Sequence, residues 1–135
     1  MIIQRIAVRE TNCYLLRGDA GTVLIDPGPP GGAALVIAEA QQAGCAPGDI
    51  RLILVTHGHL DHYGALGAVK AWCGAPVGAY RDEPASSRDP HYALPPAGTV
   101  RGSLFRWAQL ALQPLFHFPP LETDLALDED DSLEP

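Results

Sequence analysis

No run in these 135 residues approaches the roughly 18–20 consecutive apolar side chains that a membrane-crossing helix requires. The first residues, Met1-Ile2-Ile3-Gln4-Arg5, also lack the charged-then-apolar layout of a secretory signal. The expectation is a soluble, cytoplasmic protein with no membrane partner. Cysteine is scarce: Cys13, Cys45 and Cys73 are far apart, odd in number and without a Cys-x-x-Cys pair. That argues against a disulfide framework or a zinc knuckle, and all three read as free thiols packed as small apolar residues. A reducing compartment follows. A basic surplus is missing too. The nine Lys and Arg are balanced by nine Asp and Glu before residue 122, and seven acids from residue 122 onward supply the whole net charge of −7. A duplex-binding surface should be basic, so nucleic acid is not the expected partner. The acidic end, Asp128 to Asp131, reads as a solvated face.

What is present is an ordinary globular composition, 47% hydrophobic and of one-domain size. Gly and Pro, 14 and 13 residues, are too few for a low-complexity or collagen-like chain. Short β-prone runs at Ile2 to Val8, Cys13 to Leu16 and Thr22 to Ile25 predict strands, with a turn at Gly18 to Gly21. The stretch from Asp26 through Pro27-Gly28-Pro29-Pro30-Gly31-Gly32 stops regular structure. A helix is then expected from Ala33, closed by Gly44 in a left-handed cap. Arg51-Leu52-Ile53-Leu54-Val55 is nearly continuous in apolar residues and reads as a strand buried on both faces. Leu66, Val69 and Trp72 mark a helix over residues 63–73 that Gly74 ends, and Ala75 to Ala79 a short strand. Alternating strands and helices give an α/β layered fold. Further on, residues 81–98 read as loop or short helical turns, and residues 104–112 as one more helix.

The chemistry lies between the buried strand and the helix after it, in Thr56-His57-Gly58-His59-Leu60-Asp61-His62. Four potential metal ligands occupy six consecutive positions. Residues 57 and 59 of an extended strand end project to the same side, because side chains alternate with period two. Asp61 and His62 fall where the chain turns into a helix and can face a neighbouring point. One ion could take His57 and His59, and a second Asp61 and His62, at the ~3.5–4 Å spacing of two-metal sites. Gly58 lets the backbone bend around an ion. Imidazoles with a carboxylate suit zinc best, with iron or manganese possible.

The run His57-Gly58-His59-Leu60-Asp61-His62 resembles the His-x-His-x-Asp-His motif of the metallo-β-lactamase fold superfamily. Asn12-Cys13-Tyr14-Leu15-Leu16, Val23-Leu24-Ile25-Asp26-Pro27-Gly28 and Ile53-Leu54-Val55-Thr56 precede it in the family's order. The resemblance implies an α/β (α+β) chain that forms the N-terminal part of an αββα sandwich, with metals where the two sheets meet. It implies His57 and His59 as ligands of a first zinc, and Asp61 and His62 as ligands of a second. Asp61 would also orient the attacking hydroxide, which makes it the candidate catalytic residue. Asp26 matches the family's strand-end aspartate, a support for the ligand loop, and is equally readable as a turn-initiating residue before Pro-Gly. Thr56 is either a second such support or a plain strand-end threonine. Histidine at 59, where di-iron oxidoreductase members carry an acid, points to the hydrolase, glyoxalase II-like branch, although sulfur-oxidising relatives share it.

The family's later ligand stretches, a Gly-His-Thr-x-Gly-His run and a bridging aspartate, do not occur here. His91 reads as a loop residue and His117 as an aromatic-packed one rather than as replacements. Residues 1–135 are therefore expected to be a single domain, incomplete at its C-terminal end, with exposed apolar surface, self-association and weak activity. The expected function is hydrolysis of a small-molecule thioester, lactone or related ester-like bond. A non-catalytic metal-binding module is the alternative, and a nuclease or phosphodiesterase a more distant one.

Overall fold

The computed structural model describes residues 1–86 and 119–131. Strands β1 (Ile2–Val8), β2 (Thr11–Gly18) and β3 (Gly21–Ile25) form an antiparallel meander with tight turns. Helix α1 (Ala33–Gln42) leads to β4 (Ile50–Val55), and α2 (Leu60–Tyr63) with α3 (Leu66–Cys73) leads to β5 (Val77–Tyr80). Helix α4 (Glu83–Ser86) follows β5, and β6 (Leu125–Leu127) completes a six-stranded sheet in the order β1-β2-β3-β4-β5-β6. From β3 onward every neighbouring pair is parallel, and parallel neighbours need a crossover connection in place of a hairpin. The expected α/β arrangement is present. Among the described residues it comprises one sheet with helices packed on it.

Register explains which face is buried. Ile6 lies opposite Cys13, Leu15 opposite Leu24, Leu24 beside Ile53 and Ile53 beside Val77, so these side chains share one face. All are at most 2% exposed, and with Val36 and Ala40 of α1 and Leu66 and Val69 of α3 they form one core. On the opposite face, Tyr14, Leu16, Val23, Ile25 and Leu54 are only half-buried.

Several expectations need correction. The helix expected over residues 63–73 is two pieces, broken at Gly64-Ala65. A Cβ on Gly64 would stand 2.3 Å from the Pro30 ring and 2.5 Å from the Leu60 carbonyl oxygen, so only glycine allows that approach. Ala65 N–H is donated to the Gly28 carbonyl at 2.9 Å instead of to the preceding helical turn. The acidic end is not merely solvated. Asp124 accepts from Lys70 Nζ and from Val77 N–H, and Asp128 pairs with Arg81, which fastens the sixth strand to α3 and β5. Cys13 and Cys45 are buried, but Cys73 is partly exposed. Gly44 and Gly74 do take the left-handed cap, at φ 81° and 71°. The expected helix 104–112 and the residues His91 and His117 lie outside the described residues. No helix among the described residues is long and apolar enough to cross a membrane.

Candidate functional site

The three parallel strands β3, β4 and β5 end on the same side of the sheet, which brings Asp26, the loop 56–62 and Glu83 together. Clefts at the C-terminal ends of parallel strands are where such sheets gather their chemistry. The chain leaves β3 through Asp26, whose φ of 52° is left-handed. Aspartate tolerates that conformation better than most residues. Here it turns a 4%-exposed carboxylate back across β4. Oδ1 accepts the Thr56 N–H and Oδ2 the Thr56 hydroxyl, both at 2.8 Å. Oδ2 also meets His62 Nδ1 at 2.8 Å. The loop is stitched further by Asp26 N–H to the Leu54 carbonyl and Gly28 N–H to the His62 carbonyl.

These contacts decide which ring nitrogens are available. The Thr56 hydroxyl spends its single proton on Asp26, so in its 2.9 Å contact with His57 its oxygen must accept from Nδ1–H. His62 Nδ1 likewise donates to the Asp26 carboxylate. In the neutral form of each ring this leaves Nε2 as the lone-pair nitrogen, the state a metal-ligating imidazole needs. The His57 ring centroid lies 4.7 Å from that of His59 and 4.0 Å from that of His62, so His57 is the centre of the group. Burial, followed by the neighbouring His62 and His59, lowers the His57 pKa below its ordinary value and favours the neutral ring. The Cys13 thiol is not available as a thiolate: burial and the charge of Asp26 push its pKa up to about 12.

Asp61 is the exposed member, its side chain 59% accessible, with Oδ2 3.5 Å from His62 Nε2. A tetrahedral zinc with Zn–N and Zn–O bonds of ~2.0–2.2 Å spans ligand atoms roughly 3.4 Å apart, so this pair has a suitable bite. Neutral imidazoles and a carboxylate at that separation fit a divalent ion. Among the described residues no three His, Cys, Asp or Glu side chains are grouped so as to enclose one. The sequence sets His62 to face a point neighbouring that of His57, and α2, which begins directly after His59, brings the two ring centroids to 4.0 Å.

Two supports were legible only in part. Asp26 has two readings in the sequence, and its carboxylate contacts, to Thr56 and His62, are those of a support for the loop. Glu83 was not anticipated. Its Oε2 accepts the Gly58 N–H at 2.5 Å, between the first two histidines. The available signal was a carboxylate just past the strand that neighbours the motif strand.

Residues 6–134 match the family model described as "Metallo-beta-lactamase superfamily". A hydroxyacylglutathione hydrolase of Anaeromyxobacter dehalogenans is 44% identical over 69 residues, which is 51% of this chain and 25% of that protein. The human metallo-beta-lactamase domain-containing protein 1 is 43% identical over 47 residues, 35% of this chain and 18% of that one. Among solved structures, a metallo-beta-lactamase of Cronobacter sakazakii superposes with a TM-score of 0.73 at 23% identity, over 98% of this chain and 46% of that one. The chain spans less than half the length of each of these relatives.

Proposed function

Since the chain belongs to the metallo-beta-lactamase superfamily, whose members bind metal ions, usually zinc, we propose that it supplies the first ligands of a two-zinc hydrolase site. His57 and His59 would hold one ion, Asp61 and His62 the other. The observation that carries this reading is the pair of Nδ1 contacts, His57 with Thr56 and His62 with Asp26, which leave Nε2 of each neutral ring for an ion. When bound, the ions supply a water acidified to near neutrality and a Lewis acid for a carbonyl oxygen. The chain's own work is positional. Asp26 and Thr56 hold the rings, partial burial lowers the His57 pKa and so favours its neutral form, and the Asp61 carboxylate, open to solvent, would accept from a proton-bearing oxygen beside the pair.

The substrate class we propose is a small thioester or lactone. The match to an enzyme named for hydrolysing an acylated glutathione supports it, as does the absence of a basic surplus that a phosphodiester substrate would favour. The test is turnover of a panel of thioesters, lactones and β-lactams by the zinc-loaded protein and its His59→Ala and Asp61→Ala variants. Each substitution should lower kcat/KM by roughly a thousandfold or more, a few kcal/mol of transition-state stabilisation. Activity retained in either variant would remove the proposal. Tight zinc binding with no turnover on any of the panel would favour a non-catalytic metal-binding module.

A further inference from the structure

The loop between Thr56 and His62 is held at its ends by one carboxylate. Asp26 takes the Thr56 N–H and hydroxyl upstream and His62 Nδ1 downstream. None of these bonds touches the middle of the loop, where His57 and His59 must be set relative to each other. The two are linked through Gly58 alone. Without a Cβ, glycine is the residue whose φ and ψ vary most freely, and a change of either at Gly58 swings one imidazole away from the other. Gly58 is buried, so its N–H also needs a partner within the protein. That partner is Oε2 of Glu83, at 2.5 Å, reaching across from the first turn of α4. A carboxylate bonded to a buried amide is a charge-assisted contact, stronger than a neutral one.

We propose that Glu83 is a positioning residue for the metal site: by gripping the Gly58 N–H it fixes the angle between His57 and His59 so that both rings can face one divalent ion. The inference rests on the metal-site reading above and adds to it a second, separate support, delivered from β5 rather than from β3. Its side chain bonds the backbone between the ligands, and its role is exerted through them.

The experiment compares the wild-type chain with Glu83→Ala and Glu83→Gln by two readouts. The first is the amide resonance of Gly58 in metal-free protein. It should lie downfield in the wild type, move upfield in Glu83→Ala and remain near its position in Glu83→Gln, which keeps an acceptor oxygen. The second is cobalt(II) affinity and its visible absorption band, measured by titration of the metal alone. Glu83→Ala should bind about 10–100-fold more weakly, with an altered band, as expected when a ligand's outer support is lost. Glu83→Gln should stay within about threefold of the wild type, because a neutral acceptor retains much of a hydrogen bond's net worth. An unchanged Gly58 resonance, or a wild-type affinity and band in Glu83→Ala, overturns the proposal. So does a loss in Glu83→Gln as large as in Glu83→Ala, since that outcome assigns the effect to charge or direct ligation. If the wild type binds no cobalt, the metal-site reading fails, and the amide resonance alone decides whether Glu83 grips the loop.

Discussion

At the scale of single residues, Asp26 joins a strained backbone to a dense set of contacts. A non-glycine residue in a left-handed conformation costs of order 1 kcal/mol or more, and persists where its surroundings compel it. Here three acceptor contacts do so, two to Thr56 and one to His62. Asp26→Asn would present an amide to donors that need an acceptor and would remove the charge that orients His62. Zinc affinity should fall about 10–100-fold in a chelator competition assay, the usual cost of losing a ligand's carboxylate partner. An affinity equal to the wild type would show that His62 is oriented by something else. The four motif residues could be picked out because their types and spacing are themselves the chemical signal. Asp26 and Glu83 could be found only in part or not at all, since each acts on a residue 25 to 36 positions away.

Elements were legible to the extent that their causes are local. The Ile2–Val8 and Ile50–Val55 strands stand where apolar patterning put them, and Gly44 and Gly74 close their helices in left-handed caps as their positions suggested. The interruption between α2 and α3 has a remote cause. Gly64 packs on the ring of Pro30 while Ala65 bonds Gly28, and neither partner is visible from the periodicity of residues 63–73. Before this break, α2 sets His62 against His57. Gly64→Ala, although favourable for an isolated helix, should destabilise the fold by roughly 1–3 kcal/mol through overpacking. Urea unfolding would measure it, and a stabilised variant would contradict the close approach.

For the whole molecule, the joining of β6 to the sheet is the long-range event. Asp124 anchors it, and its pKa lies below the ordinary 3.8, chiefly because Lys70 donates to it and then because Val77 N–H does. A carboxyl group depressed in the folded state stabilises above its unfolded pKa, and that contribution is lost as pH falls through the folded value. Asp124→Asn should therefore melt slightly lower than the wild type near neutrality and converge with it as pH falls below the ordinary carboxylate value and through the lower folded one. The side chain is exposed, so the difference is small. Parallel melting curves across that window would exclude the anchor. The local sequence does not disclose this anchor, because the partners of Asp124, Lys70 and Val77, lie 54 and 47 positions away.

One consequence follows from hanging the site on three adjacent parallel strands. Sliding any of β3, β4 or β5 past its neighbour by two residues keeps the inside–outside pattern intact but moves the strand end by about 6.6 Å. Hydrophobicity alone would scarcely notice so large a shift. A slide of β3 would sever the bonds of Asp26 to the 56–62 loop, a slide of β5 that of Glu83 to Gly58, and a slide of β4 both. The polar contacts at the strand ends thus proofread the ladder, rejecting alternative alignments that the greasy interior would accept.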